Sequence, residues 1–312
     1  MDAIPLPSKL IAAQASDASD ARQAWMSRLP IVVPELARRW SLTLGDPYQP
    51  GGMASWVAPA RNRAGDPVVL KVGFPHYEAL HEAEGLTAWD GRGAVRLLDS
   101  DITPTHWALL LEACEPATAL SEALPTPEQD AVIAQLLTRL WVNPVAGHPF
   151  RPLQQLCGAW ADGFERRYAA ATGSQLDPGV ARSGAELFRE LAAPPTAPVL
   201  LCTDLHAGNV LAAQREPWLV IDPKPYVGDR TYDALQHMLN CPDRLLEDAS
   251  SFTVTTAGLL DFGGRATSAM AVRSLRDRVR VPPGPARSSR GIGPMRSPAG
   301  RQLRIQHRVV PD

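Results

Sequence analysis

No stretch of this 312-residue chain approaches the ~20 consecutive apolar residues that a membrane-spanning helix requires, and 30 prolines interrupt most candidates. No membrane association is therefore expected. Residues 1–19 carry acids and no apolar signal core, so a cytoplasmic location is expected. Cysteine is scarce. Cys114, Cys157, Cys202 and Cys241 stand far apart, without the paired spacing of a zinc or redox motif, and read as reduced, buried thiols. Two catalytic signatures are also missing. No G-x-S-x-G elbow surrounds Ser55 or any other serine, which argues against a serine hydrolase, and no Gly-Lys-Ser/Thr follows Gly51 and Gly52, so they do not open a Walker A loop.

The charge is unevenly spread. Residues 262–312 hold eleven arginines, no lysine and two aspartates, a balance of +9, which leaves −11 on the first 261 residues of a chain whose total is −2. Arg, Pro, Gly and Ser dominate this end, and its apolar periodicity stops. Such a segment cannot bury enough apolar surface to offset its ordering entropy, and it reads as a disordered tail. Its lysine-free arginine run has the composition of an out-of-frame continuation in GC-rich DNA. Beyond Phe262 it has no aromatics to stack on bases, so no nucleic-acid partner is expected.

What the chain does contain is Cys202-Thr203-Asp204-Leu205-His206-Ala207-Gly208-Asn209, followed by Ile221-Asp222-Pro223. An Asp, an Asn five residues on, and an Asp ending an apolar run form the set that phosphoryl transfer from ATP requires. One carboxylate orients the attacking hydroxyl, and an amide oxygen and a second carboxylate hold magnesium. Val210 to Ala213 and Trp218 to Ile221 read as short strands around a polar connector, 214–217. Folding that hairpin is expected to set Asn209 and Asp222 opposite each other at its open end. His206 lacks companion soft ligands and is not read as a zinc site.

Upstream, residues 67–73 read as a strand with Val68, Leu70 and Val72 on one face and Lys71 on the other. A turn before it offers small residues at Gly51, Gly52, Ala54 and Ser55, which let backbone N–H groups approach phosphates. Residues 75–89 read as a helix that places Glu82 on the side of Leu86 and Trp89, an acid on an apolar stripe that calls for a partner. Glu78, one turn earlier, is the competing acid. Residues 107–112 read as a further strand ending at Glu112. Helices are expected over 127–141, 151–169 and 181–191. Another is expected from an Asp229 cap through Leu239, with Tyr232, Leu235 and Leu239 facing inward. Glu115, Glu122 and Glu128 read as exposed acids on loops and helix starts.

The stretches Thr203 to Leu211, Ile221 to Pro225 and Gly228-Asp229 resemble the aminoglycoside phosphotransferase family of kinase-like enzymes, in particular its streptomycin 6-kinase or aminoglycoside/hydroxyurea resistance branch. The resemblance runs from about residue 25 to about residue 244. It implies an α+β, two-lobe kinase-like fold. A small lobe with an antiparallel sheet (1–114) would precede a larger, mainly helical catalytic lobe (115–261), followed by the tail (262–312). It makes Asp204 the catalytic base and Asn209 and Asp222 the magnesium ligands. Lys71 paired with Glu82 would place the phosphates, Gly52 and Ser55 would lie over them, and main chain from Glu112 to Cys114 would take adenine. ATP and Mg2+ are the implied cofactors, and the partner is a small molecule bound by a monomer. An acidic body suits a polycationic aminoglycoside. The alternatives are a kinase for hydroxyurea or another metabolite, and a degenerate nucleotide-binding protein without turnover. Cys202 stands where the family usually has His, and Ala113 and Ala117 where it commonly has Arg and Gly.

Overall fold

The structure is a computed structural model that describes residues 4–16, 19–171, 177–191 and 197–260; the arginine-rich segment 262–312 lies outside the described residues. Among the described residues no helix is long and apolar enough to cross a membrane.

The first half of the chain builds a five-stranded antiparallel sheet. Its strands are β1 (Thr43–Leu44), β2 (Ser55–Arg61), β3 (Pro67–Gly73), β4 (Leu97–Ile102) and β5 (Trp107–Glu112), in the order β1-β2-β3-β5-β4. The β-branched residues of β3 alternate as expected. Leu70 and Val72 pack with Trp56 and Ala58 of β2 against Trp25, Leu29, Val33 and Leu36 of helix α2 (Asp20–Arg39). Each such side chain, fully buried, contributes roughly 1.5–3 kcal/mol, so one face of the sheet is committed to packing. Lys71 points to the other face, toward α3 (Glu82–Trp89), whose Leu86 and Trp89 are buried.

Helix α3 is shorter than the 75–89 span expected. A 3-10 turn over Tyr77–Ala79 comes first, and His81 then adopts the left-handed conformation (φ 70°), which breaks helical continuity and makes Glu82 the first residue of α3. Helix α1 (Ser8–Ser16) and the residues before it brace the glycine turn between β1 and β2. Lys9 N–H donates to Pro50 O (3.0 Å), Ser8 N–H to Gln49 Oε1 (3.1 Å), and the Arg22 guanidinium of α2 to Met53 O.

The second half is mainly helical: α4 (Leu120–Ala123), α5 (Thr126–Leu140), α6 (Leu153–Ala170), α7 (Pro178–Leu191), α8 (Thr231–Leu239) and α9 (Pro242–Leu259). Between them lie a small sheet, order β6 (Arg151–Pro152), β10 (Tyr226–Gly228), β7 (Val199–Leu201), and the hairpin β8 (Val210–Ala212) with β9 (Trp218–Val220). Helix α6 starts two residues later than expected because Arg151 and Pro152 extend alongside β10. The inward face of α8 is Tyr232, Asp233, Ala234, Gln236, His237 and Met238, whereas Leu235 and Leu239 are only half-buried. The helix is thus rotated from the face expected of its leucines. An ion cluster fastens it to its neighbours: Asp130 of α5 receives His237 Nε2 (2.9 Å) and Arg244 Nη1 and Nη2 (2.8 Å each).

The largest apolar core runs through both halves, from Trp89 and Leu111 through Leu137 and Leu140 to Leu200, Val210 and Val220. Arg151 adds a second tie. Its guanidinium stands 3.9 Å from the ring centre of Tyr77 and 4.4 Å from that of Tyr226. The two halves are therefore joined through a shared core and this stacked arginine.

Candidate active site

The loop after β7 carries Asp204, and its shape is dictated from below by Asp233. This fully buried α8 carboxylate accepts the backbone N–H of Cys202 (3.0 Å) on one oxygen and of Thr203 (2.8 Å) on the other, and Trp141 Nε1 donates to it at 3.2 Å. Burial lifts its pKa to about 6 against the pull of those N–H donors. Thr203 sits at φ 51°, a conformation costly for a β-branched residue, and two anchors over-determine it: the Asp233 bond and its own hydroxyl donating to Lys224 O. His206 Nδ1 accepts from Gly208 N–H (3.1 Å) and caps the turn Ala207–Asn209.

Cys202, at the position where the resemblance leads one to expect His, is fully buried in the main core, and burial pushes its thiol well up, so it packs as a neutral apolar side chain. Its main chain does the polar work. The Cys202 carbonyl accepts Asp204 N–H and Lys224 N–H, both at 2.8 Å. Loop geometry at this point rests on Asp233 and the backbone, with no imidazole required.

Asn209 Nδ2 donates to Asp204 O (3.0 Å) and lies 3.5 Å from Asp204 Oδ2. The hairpin register differs from expectation by one residue. Val210 pairs with Val220, so Asn209 stands opposite Ile221, and Ile221 N–H donates to Asn209 O at 2.9 Å. Asp222 follows one residue later at φ 54°. This left-handed residue ends strand geometry and turns its side chain to Lys71, leaving it 40% exposed.

Lys71, 5% exposed, joins the two halves. Nζ reaches Glu82 Oε1 and Oε2 (2.7 and 2.9 Å) and Asp222 Oδ1 (2.5 Å). Glu82 is thus paired with Lys71, and the side chain of Glu78, the competing acid, lies outside the described residues. Burial raises the Glu82 carboxyl, opposed by Lys71. Lys224 Nζ meets the same Asp222 Oδ1 at 2.6 Å. Burial would raise Asp222, but the Lys224 and Lys71 ammoniums outweigh it and hold the carboxyl far below its ordinary range.

The other expected positions are more dispersed. Gly51 (φ 71°) is a packing glycine: a Cβ there would stand 2.4 Å from Pro7 Cβ. At Gly52 a Cβ would have room, with Ser55 Oγ at 3.5 Å. Ser55 opens β2 opposite Gly73. Glu112 is engaged internally. Its carboxylate takes Arg215 Nε (2.7 Å) and Nη2 (2.9 Å), and its N–H donates to Arg96 O (3.0 Å). Cys114 is nearly buried, and burial together with Glu112 lifts its thiol to about 11.

Three residues essential to this arrangement escaped sequence reasoning: Asp233, Lys224 and Arg215. Asp233 lay off the Tyr232, Leu235, Leu239 stripe that the sequence marked as inward, so the acid-on-a-stripe signal that marked Glu82 did not reach it. Lys224 lies within the Ile221 to Pro225 stretch that carried the resemblance but was given no role there, and Arg215 carried no local signal.

Residues 39–268 match the model of a family described as aminoglycoside/hydroxyurea antibiotic resistance kinase. The chain belongs to this family. The match begins after most of α2 and runs past Arg244 through α9, so family likeness extends further toward the tail than the motifs alone implied. A streptomycin 6-kinase of Streptomyces glaucescens is 37% identical over 230 residues, covering 74% of this chain and 73% of that one. A hydroxyurea phosphotransferase of Kitasatospora aureofaciens is 35% identical over 249 residues, with 76% and 68% covered. Among solved structures, the apoenzyme of the macrolide 2'-phosphotransferase MphH from Brachybacterium faecium superposes with a TM-score of 0.52 at 18% identity, covering 80% of this chain and 88% of that one. An aminoglycoside-3'-phosphotransferase of type VIII gives 0.50, also at 18%, over 80% and 98%. These likenesses establish for this family member the kinase-like α+β fold that the motifs implied.

Proposed function

We propose that this kinase transfers the terminal phosphoryl group of ATP to a hydroxyl of a small molecule, most plainly an aminoglycoside of the streptomycin class. The observation that carries the reading is the convergence of Asp204, Asn209 and Asp222 with the Lys71–Glu82 pair at one cleft, from elements up to 151 residues apart. The substrate class rests on the similarity to streptomycin 6-kinases. Excess negative charge on the chain outside the tail favours a polycation.

In this reading Asp204 accepts a hydrogen bond from the acceptor hydroxyl, orients its lone pair toward phosphorus and takes the proton as the bond forms. Lys71, held by Glu82, offers its ammonium to the nucleotide phosphates. Gly52 and Ser55 permit close main-chain approach above them, and main chain from Glu112 to Cys114 faces adenine. Asp222 and Asn209 offer hard oxygen donors, a carboxylate and an amide carbonyl, which suit magnesium. Magnesium bound there supplies charge neutralisation on the phosphates. The residues otherwise act by positioning. We take the protein to act as a monomer in the cytoplasm.

Incubation with ATP and, separately, streptomycin, hydroxyurea and simple sugars, read by the mass gain of one phosphate, tests the proposal. Phosphorylated streptomycin is the expected product. Modification of hydroxyurea alone would move the reading to the function carried by the Kitasatospora relative's name. No acceptor-dependent ATP consumption with any of them would reject it in favour of a nucleotide-binding protein without turnover.

A further inference from the structure

The chain contains three lysines against 28 arginines. Two of the three, Lys71 and Lys224, set their ammoniums on a single oxygen, Asp222 Oδ1, at 2.5 and 2.6 Å. A protein that otherwise relies on arginine uses lysine at these two points. Arginine's planar fork suits a fixed bidentate partner, whereas the lysine ammonium is a compact charge on a flexible stem that can pass from one oxygen to another. The two lysines are not equivalent. Lys71 is held by both carboxylate oxygens of Glu82, at 2.7 and 2.9 Å. The hydrogen bonds of Lys224 Nζ among the described residues run to Asp222: to Oδ1 at 2.6 Å, and to the backbone carbonyl at 3.3 Å.

The backbone of Lys224 is pinned to the catalytic loop on both sides. Its N–H donates to Cys202 O at 2.8 Å, and its carbonyl accepts the Thr203 hydroxyl. The side chain therefore starts from a point rigidly related to Asp204. An oxygen of Asp222 that serves a divalent cation has no room for two ammoniums as well. Lys71 keeps its place through Glu82, and Lys224 is the one able to turn away.

We propose that Lys224 is a catalytic residue of the phosphoryl transfer, its ammonium moving from Asp222 to a non-bridging oxygen of the phosphoryl group in flight. This rests on the phosphotransferase reading above. The bond from the acceptor oxygen to phosphorus forms as the bond from phosphorus to the β,γ-bridging oxygen breaks. The electron pair leaves with ADP, and the hydroxyl proton goes to Asp204. Lys224 keeps its protons throughout and offsets charge on the equatorial oxygens, the place where such a donor matters most.

The test compares wild type, K224R and K224M in three measurements: steady-state transfer to streptomycin, calorimetric affinity for ADP, and the gain in that affinity when aluminium fluoride is added to mimic the phosphoryl group. K224M should lower kcat by about 100-fold or more, hold ADP affinity within about threefold, and lose the fluoroaluminate gain. K224R, which retains a cation, should recover part of both. Turnover of K224M within about threefold of wild type overturns the proposal. Equal weakening of ADP and ADP–fluoroaluminate overturns it too, because Lys224 would then merely hold Asp222 in place. Thermal melting checks folding, and if K224M does not fold, the same two readouts on K224R and K224Q decide. Should wild type phosphorylate no acceptor, the substrate reading fails. The fluoroaluminate comparison, in which water replaces the acceptor, still rules on Lys224.

Discussion

Arg215, in the turn of the β8–β9 hairpin, grips the Glu112 carboxylate at the end of β5 with hydrogen bonds of 2.7 and 2.9 Å. Nη1 also donates to Gly91 O (2.8 Å), and Nη2 donates to Ala94 O (3.0 Å) as well as to Glu112. One side chain thus ties the catalytic hairpin to the strand that leads into the second half of the chain. Arg215→Ala should leave a half-buried carboxylate without its partner and cost about 2 kcal/mol, in the range for charge-assisted hydrogen bonds. Urea denaturation reads this directly. An unchanged midpoint would show that the grip contributes nothing to stability.

Asp204→Ala should abolish transfer, with kcat falling by about 10²–10⁴, the range for removal of a general base. ADP affinity should stay near that of wild type, since no nucleotide contact is assigned to Asp204. Stopped turnover together with lost ADP binding would instead mark the residue as part of the nucleotide pocket.

Asp233→Asn offers one acceptor oxygen to the two N–H groups of Cys202 and Thr203, so kcat should drop by about tenfold through loss of loop geometry. The substitution also has a pH signature. The folded-state pKa of Asp233, about 6, lies above the ordinary 3.8. Folding therefore favours its protonated form, and that stabilisation is complete below pH ~4 and lost as pH rises through ~6. The stability difference between wild type and Asp233→Asn should fall over that window, by at most about 3 kcal/mol at ~1.4 kcal/mol per unit. Melting curves at pH 4.5 and 7 measure it, and a difference independent of pH would refute the assignment.

Gly51→Ala and Gly52→Ala separate packing from phosphate approach. At Gly51 the positive φ and the 2.4 Å clash with Pro7 predict lost stability and a displaced N-terminal brace. At Gly52 the new methyl has room, so stability should hold while the KM for ATP rises by about tenfold if phosphates pass over this backbone. Identical behaviour of the two variants in melting and kinetics would contradict that division.

Much of the molecule was written in local pattern. Period-two alternation in β3 placed Lys71 opposite Val68, Leu70 and Val72, and an acid on an apolar stripe marked Glu82 as needing a partner. The spacing of Asp204, Asn209 and Asp222 marked the chemistry, because short strands around a short connector bring a residue at each outer end together whatever the rest of the fold does. Tertiary structure decided the remainder. The hairpin register, which sets Ile221 against Asn209 and turns Asp222 through a left-handed step, depends on how the hairpin seats against Gly93 and Val95. The loop at Cys202 is anchored by Asp233, 31 residues away on helix α8. Lys224 and Lys71 meet on one oxygen across 153 residues of chain. Periodicity reports which way a side chain points along its own element. It carries no information about which distant group will be there to meet it, and in this protein those meetings build the active site.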